Sequence, residues 1–336
     1  MPVSYVPDWD SLEIAAAAGD CPVAFCGDLS PASLLSAYRH GIVPLPAGSD
    51  YARDINEFRY EEQVADGLIA VVGDADPYLA TWWCPDPRPV IGVDGVHLGR
   101  NVRKQLRRND MRTTANRSFL EVAEQCRAQR EPRWLTDTLL ESMAELHRDG
   151  WAHSIEVWLD DDLIGGALCV GIGPVLSGDS VFSRHPDAGR VAVADMGARF
   201  AQAGGRTIDA QRDSPYLRSL GAKMVPREQY LRSLAAPPQR AVLPQASLPA
   251  RRLIDPNQTE KTRSAEINRR NQTVLFPPSG KFPRKTSRRG AGSDVCRGRD
   301  VWCARAGLGG WPTGQGIATG AGGRARSRSR RPRPGR

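Results

Sequence analysis

The sequence predicts an α+β fold, and three observations carry that prediction. Residues 152–182 alternate in the period of β-strands between short polar turns, amphipathic helical patterns flank this run on both sides, and one more strand reads at 206–211. A strand meander followed by helix, strand and helix makes an α+β layer sandwich. With 336 residues the chain has room for two domains of ordinary size, and 40% hydrophobic residues suffice for a core in part of it.

In chain order, residues 27–41 read as one short helix. Ser30 caps it, Pro31 takes the first helical position and Gly41 follows its end, with Leu34, Leu35 and Tyr38 as the buried stripe. Residues 44–79 are rich in Pro and charge and keep no clean period, so they read as a loop-like insertion. Over 99–109, Arg100, Arg103, Lys104, Arg107 and Arg108 recur at spacings of three and four, which on a helix gathers all five cations on one face. Solvated charged faces usually interleave acids, and none occurs here before Asp110, so a phosphate-contacting role is the preferred reading.

Two helices follow. The first opens with the capping-box pair Ser118 and Glu121; the second opens at Thr136 and carries Leu139, Leu140, Met143, Leu146 and His147 before stopping at Gly150. From Ala152 the period changes to that of strands, over 152–159, 163–170 and 175–182, with turns at 160–162 and 171–174: an antiparallel meander. A helix from about 187 to 203 leads to the strand at 206–211, and Ser214-Pro215 opens a short helix ending at Gly221.

The formal net charge of +8 suggests an anionic partner, but the charge is unevenly placed. Residues 236–336 carry about 22 Lys and Arg against 5 Asp and Glu, leaving 24 against 33 for residues 1–235. The body is acidic and the tail holds the basicity. From 236 onward Pro, Arg, Gly and Ser dominate, a composition that buries too little apolar surface to offset the ordering entropy, so a disordered tail is expected. Loose binding to RNA and an extension without a role both remain open for it.

The seven cysteines, Cys21, Cys26, Cys84, Cys126, Cys169, Cys296 and Cys303, are odd in number, form no C-x-x-C pair and have little His nearby. They are expected to be reduced and unligated, with no bound metal. The N-terminus lacks a basic region followed by an apolar one, and no window approaches 18 apolar residues. A soluble, cytoplasmic protein without membrane contact is expected.

Several strings in this order resemble the bacterial leucyl/phenylalanyl-tRNA–protein transferases. They are Gly27-Asp28-Leu29-Ser30-Pro31 with Leu34-Leu35 and Ala37-Tyr38, Trp82-Trp83-Cys84-Pro85-Asp86-Pro87-Arg88, and Ala152-His153-Ser154-Ile155-Glu156-Val157-Trp158. Phe182-Ser183-Arg184, Ile208-Asp209-Ala210-Gln211 and Ser219-Leu220-Gly221-Ala222 with Pro226-Arg227 complete the set, spanning 27–234, about two thirds of the chain. The resemblance implies a small N-terminal α/β domain over 1–98 and a mixed-sheet domain like that of the N-acetyltransferases over 99–235. In the latter, splayed central strands hold the acyl donor. The tail, 236–336, lies outside the resemblance.

What the resemblance implies chemically is transfer of Leu or Phe, with Met left open as a third, from aminoacyl-tRNA to the N-terminal Arg or Lys of an acceptor protein. Such transfer marks the acceptor for N-degron proteolysis and is expected of a monomer. An aminoacyl ester is already activated and its aminolysis runs downhill, so no cofactor is expected; orientation alone is worth about 7–11 kcal/mol. The resemblance assigns Asp209 and Gln211 to the reacting centre, Gln211 positioning the amine and Asp209 polarising it or accepting its proton. Their spacing of two on a strand puts them on one side. Asp179, Ser180 and Ser183, in Gly178-Asp179-Ser180-Val181-Phe182-Ser183, match the acceptor-binding Gly-Glu-Ser-x-Phe-Ser of the family, with a carboxylate one methylene shorter.

The aminoacyl pocket is expected at Ala167, Leu176, Val193, Met196, Phe200 and Ile208, an apolar set that also suits a plain core. A hydrophobic pocket separates neighbours by only about 1–3 kcal/mol per methylene, so Leu, Phe and Met could share it. Trp134 matches the tryptophan that stacks on the terminal adenosine of the donor tRNA, and Arg100, Arg103, Lys104, Arg107 and Arg108 are its expected phosphate contacts. Two departures stand out: Ile42-Val43-Pro44-Leu45 replaces Ile-Phe-Pro-Trp, and Met143 replaces a Tyr. They motivate an alternative, a degenerate homologue that binds tRNA or basic N-termini without catalysis. A small-molecule N-acyltransferase is a third possibility. Against it, the stretch from Arg184 to Gly189, where a coenzyme A turn would lie, has Asp187 in place of an anion-binding glycine.

Overall fold

In the computed structural model of the chain, residues 7–73, 76–128 and 134–255 are described. Near the N-terminus, β1 (Ala24–Phe25), α1 (Pro31–Arg39), β2 (Val43–Pro46), α2 (Asp50–Ala65), β3 (Ala70–Val71) and β4 (Ala80–Trp83) build a four-stranded sheet of order β2-β4-β1-β3. The expected helix forms as α1: Ser30 Oγ accepts from Ser33 N–H, Pro31 is its first residue, and Gly41 follows it at φ +72°. Leu34 and Tyr38 are buried and Leu35 half-buried.

The loop expected over 44–79 is corrected. It holds β2, β3 and the sixteen-residue helix α2. Tyr60 is the one residue of α2 that is buried, while Tyr51, Ile55 and Phe58 are exposed. A helix that buries a single side chain writes no apolar stripe into its sequence, and capping by Ser49, whose Oγ accepts from Ala52 N–H, starts it instead.

The remaining elements are β5 (Arg88–Gly92), α3 (Arg100–Arg108), β6 (Met111–Ala115), α4 (Phe119–Ala128), α5 (Asp137–Arg148), β7 (Ala152–Leu159), β8 (Asp162–Ile172), β9 (Val175–Ser183), α6 (Ala188–Gln202), β10 (Thr207–Asp209), α7 (Pro215–Ser219), β11 (Lys223–Val225), α8 (Arg227–Leu234) and β12 (Leu248–Pro249). They form an eight-stranded mixed sheet of order β11-β5-β10-β9-β8-β7-β6-β12. The meander β7-β8-β9 is antiparallel as the alternation predicts. The helix α6 then crosses over so that β10 pairs parallel to β9, aligning Ile208 with Leu176 and Asp209 with Ser177.

Apolar clusters lie on either side of the larger sheet. One joins it to α4, α5 and the N-terminal sheet through Phe119, Leu146, Leu168, Phe182, Trp82 and Leu34. The other joins it to α3 and α6 through Leu106, Ile155, Leu176, Val193 and Phe200. Layers packed on both faces of a sheet account for strands such as β9 that are buried at every position, a pattern alternation alone does not produce.

Two local readings change. Ser118 N–H donates to Glu156 Oε1 at 3.3 Å, and Glu121 is exposed. The buried Glu156 carboxylate also accepts from Thr114 and Ser154, so its need for donors displaces the reciprocal bond of a capping box. The low-complexity tail does not begin at 236. Residues 236–255 pack on the body: Leu248 pairs with Thr113, and Ala241, Leu243 and Ala250 are buried. Much of the attachment is ionic and therefore invisible to an apolar count. The buried Asp195 carboxylate bridges Arg199 and Arg252, while Arg199 donates to the backbone oxygens of Thr113, Pro244 and Ala246. Residues 256–336, with Cys296 and Cys303, lie outside the described residues.

Candidate active site

β10 ends at Asp209, opposite Ser177, whereas β9 continues to Ser183. The site gathers where the two strands part. Two irregularities aim its side chains. Leu168 pairs with Ser180 but Cys169 with Gly178, so Asp179 is the extra residue of a β-bulge in β9. After Asp209 the chain leaves the strand and Gln211 adopts φ +59°, in the left-handed region that side chains rarely occupy. The expectation that Asp209 and Gln211 share a strand face is therefore corrected. The strand is Thr207–Asp209, and a turn, not alternation, brings the two residues together. The turn is held by Asp209 itself, whose Oδ1 accepts from Gln211 N–H at 2.9 Å.

Asp209 is fully buried and richly bonded. Arg88 Nε donates to its Oδ1 at 2.8 Å and Arg88 Nη2 to its Oδ2 at 2.7 Å, a forked ion pair with neither side chain exposed. Tyr230 Oη donates to Oδ2 at 2.9 Å and Ser177 Oγ at 3.4 Å. The Arg88 guanidinium also lies over the Tyr230 ring, 4.6 Å from its centroid. A carboxylate with this many donors is an anchor.

Gln211 is half-buried, and its Nε2 donates to Ser177 Oγ at 2.9 Å and to Asp179 Oδ1 at 2.7 Å. Both amide hydrogens are thereby used, and the amide oxygen is the atom left to accept from an amine. Tyr38 of α1 donates to the same Asp179 Oδ1 at 2.7 Å, tying the N-terminal unit to the site. Asp179 Oδ2 is buried with no hydrogen-bond partner among the described residues. Burial is the largest influence on this carboxyl and pushes its pKa up to about 7, against the opposing pull of the Tyr38 and Gln211 hydrogen bonds. Burial next to Asp179 likewise raises Tyr38 well above the ordinary tyrosine value, which keeps it a donor.

Of the expected acceptor residues, Asp179 faces the site. Ser180 is fully buried, and Ser183 is spent locally, its hydroxyl donating to His185 O and accepting from Gly189 N–H at the start of α6. Ala167, Leu176, Val193, Met196, Phe200 and Ile208 are all fully buried in one apolar cluster. Trp134 is half-buried, packs against the other cluster just before the Thr136 cap of α5, and keeps its indole N–H buried without a partner among the described residues. On α3, Arg100, Arg103, Lys104, Arg107 and Arg108 are exposed while Val102 and Leu106 are buried, as the spacing predicts. Met143 is core and Leu45 half-buried in β2, paired with Thr81.

Tyr38, Arg88, Ser177 and Tyr230 complete the network; the sequence marks Tyr38 as part of a helix stripe and Arg88 as part of a string, but assigns none of the four a role at the site. Arg88 stands in the quoted Trp82 to Arg88 string, and a charged residue next to a strand pattern was the available signal for it. Asp187, in place of the glycine of a coenzyme A turn, pairs with Arg190 at 3.4 Å. Among the described residues no group of three metal-ligating side chains occurs, and no helix is long and apolar enough to cross a membrane.

Residues 90–235 match the family model described as leucyl/phenylalanyl-tRNA protein transferase. The leucyl/phenylalanyl-tRNA–protein transferase of Tolumonas auensis is 36% identical over 216 residues, 63% of this chain and 80% of the relative. That of Klebsiella pneumoniae (strain 342) is 37% identical over 210 residues, 62% and 78% respectively. That of Edwardsiella ictaluri is 33% identical over 228 residues, 68% and 83%.

Proposed function

The chain belongs to the leucyl/phenylalanyl-tRNA–protein transferase family, and from that premise we propose how its residues divide the labour of aminoacyl transfer. The reaction moves an amino acid from aminoacyl-tRNA to a protein, and the acceptors are proteins with N-terminal Arg or Lys, which the transfer marks for proteolysis. The acceptor's α-amine attacks the ester carbonyl, an amide forms, and the 3′-oxygen of the tRNA leaves with the proton that the amine gives up. The observation that carries the assignment is the fixing of Gln211 at the gap where β9 and β10 part: its Nε2 donates two hydrogen bonds within the protein, which leaves the amide oxygen as the acceptor for a substrate. In that gap Gln211 is the catalytic residue, accepting a hydrogen bond from the amine and aligning it on the carbonyl. Asp209 acts one step removed, fixing the Gln211 backbone and, through Ser177, its side chain.

The parting of β9 and β10 supports an N-acetyltransferase-like reading of the larger sheet, with the ester lying between the two strands. The side chain of the transferred residue is assigned to the cluster of Ala167, Leu176, Val193, Met196, Phe200 and Ile208, which opens by side-chain rotation to admit Leu, Phe or Met. Trp134 is assigned to the terminal adenosine and the α3 cations to tRNA phosphates. The protein works as a cytoplasmic monomer and needs no cofactor, because the ester supplies the driving force. Incubation with radiolabelled Leu-tRNA and a peptide beginning with Arg tests the proposal; labelled peptide is the expected product, and tRNA binding without transfer contradicts it.

Asp179 is assigned to the cationic side chain of the acceptor. With its pKa near 7, the carboxyl loses charge as the pH falls, so the KM for an Arg-initiated peptide is expected to rise about tenfold per unit below pH 7. Asp179→Asn should flatten that profile and raise KM at pH 8 while changing kcat less. Stability moves the other way. The folded pKa lies above the unfolded value of 3.8, so ionising Asp179 weakens the fold as the pH rises, and Asp179→Asn is expected to raise Tm at pH 8 but not at pH 4.

For α3, Arg103→Ala or Arg107→Ala should weaken tRNA binding at low salt and lower the slope of log affinity against log salt by about 1 per phosphate contact removed. An unchanged slope in both variants assigns the helix to plain solvation.

A further inference from the structure

A cavity of about 480 Å³ opens at the start of β7, between the end of α5 and residues 240–245. Its walls include Asn116, His147, Asp149, His153 and Arg240, with Val242 and Leu243 as apolar surface. His153 stands in the Ala152 to Trp158 string that aminoacyl transfer leaves without a role. It is 3% exposed, and its Nε2 is buried without a hydrogen-bond partner among the described residues.

The proton positions follow from the bonds. Ser154 N–H donates to Asn116 Oδ1 at 3.1 Å, which turns the Asn116 amide nitrogen toward His153 Nδ1 at 3.2 Å. Nδ1 therefore accepts, and the ring proton sits on Nε2. Burial, aided by His147, pushes the His153 pKa down to about 4, so the ring is neutral near pH 7 and Nε2–H is a donor lacking an acceptor. His147 is fixed oppositely. Its Nδ1 lies 2.9 Å from Ala152 O, a carbonyl, and must donate, so in the neutral ring Nε2 accepts.

The charges at the cavity are also unspent. Arg240 stacks over the Trp151 ring at 5.3 Å, and neither Arg240 nor Asp149 has an ion-pair partner among the described residues. Asp149 caps the C-terminal end of α5, where the helix carbonyls add partial negative charge. The cavity therefore offers donors and a cation from Asn116, His153 and Arg240, acceptors and an anion from His147 and Asp149, and apolar surface between them.

We propose that this cavity is a binding site for a free α-amino acid with an apolar side chain: its carboxylate meets Arg240 and, on a side-chain shift that uncovers the buried donor, His153 Nε2–H, its ammonium meets Asp149 and His147, and its side chain packs on Val242 and Leu243. A simple anion leaves Asp149 and the α5 carbonyls opposed, and a simple cation leaves the His153 donor unmet. The site is separate from the Gln211 network, so its test does not depend on the transfer mechanism.

The test is calorimetric titration of the full chain with L-leucine, with leucinol, which lacks the carboxylate, and with 4-methylpentanoate, which lacks the ammonium group. Saturable 1:1 binding of leucine is expected, weakened at least about tenfold in each analogue, a loss of about 1.4 kcal/mol. Arg240→Gln and Asp149→Asn, both at exposed positions, should each weaken leucine binding by a similar factor while leaving transfer from Leu-tRNA unchanged. The ¹⁵N resonance of His153 Nε2 should shift on adding leucine to the unaltered chain. The proposal is overturned by absence of saturable binding, by equal binding of either analogue, or by leucine binding that both variants retain.

Discussion

Gln211→Ala is expected to lower kcat for transfer from Leu-tRNA to an Arg-initiated peptide by about a hundred- to a thousandfold, with little change in the KM for either substrate. The amide oxygen is the group assigned to the amine, and on that assignment its removal leaves the ester and acceptor bound but not aligned. Single-turnover kinetics separates this from weakened binding. One companion variant sharpens the test. Gln211→Gly relaxes the left-handed backbone at φ +59° and so should be at least as stable as Gln211→Ala, yet equally slow. Transfer at the unaltered rate in either variant removes Gln211 from the reaction.

Asp209→Asn is expected to cost about 3–5 kcal/mol of stability, because it leaves the Arg88 guanidinium buried beside a neutral partner. Denaturant unfolding measures the loss. The pair differs from a surface ion pair, worth about 0–1 kcal/mol, in having neither side chain exposed. Replacing both residues by apolar ones of similar size, as in Arg88→Met with Asp209→Leu, should return much of the stability, since no orphan charge remains. Activity should not return with it, because Gln211 N–H and Ser177 have lost the carboxylate that fixes the turn. A double variant as active as the unaltered chain assigns Asp209 to stability alone.

Much of this architecture is legible in the residues. The β7-β8-β9 meander announces itself by alternation broken at Asp160 and Gly173, and α1, α5 and α7 by their Ser or Thr caps. What stays hidden is long-range. β5 joins the larger sheet beside β10, β11 pairs with β5, and β12 pairs with β6, each from a short segment whose partner lies far away in sequence. α2 hides because it buries only Tyr60, and the 236–255 segment because buried arginines do much of what apolar side chains usually do. The site divides in the same way. Asp209, Gln211 and Asp179 are found through resemblance, but the bulge that turns Asp179 and the left-handed turn at Gln211 leave no periodic trace. Arg88 and Asp209 are 121 residues apart, and Tyr38 and Asp179 141, distances over which no local pattern reports a contact.

The most direct measurement is a crystal structure of the protein with an amide-linked leucyl-adenosine that cannot be cleaved. The account predicts the leucyl carbonyl beside the Gln211 amide in the gap beyond the end of β10, the leucine side chain directed toward Met196 and Phe200, and the adenine stacked on Trp134. An analogue bound elsewhere, with the gap between β9 and β10 left without it, contradicts the account.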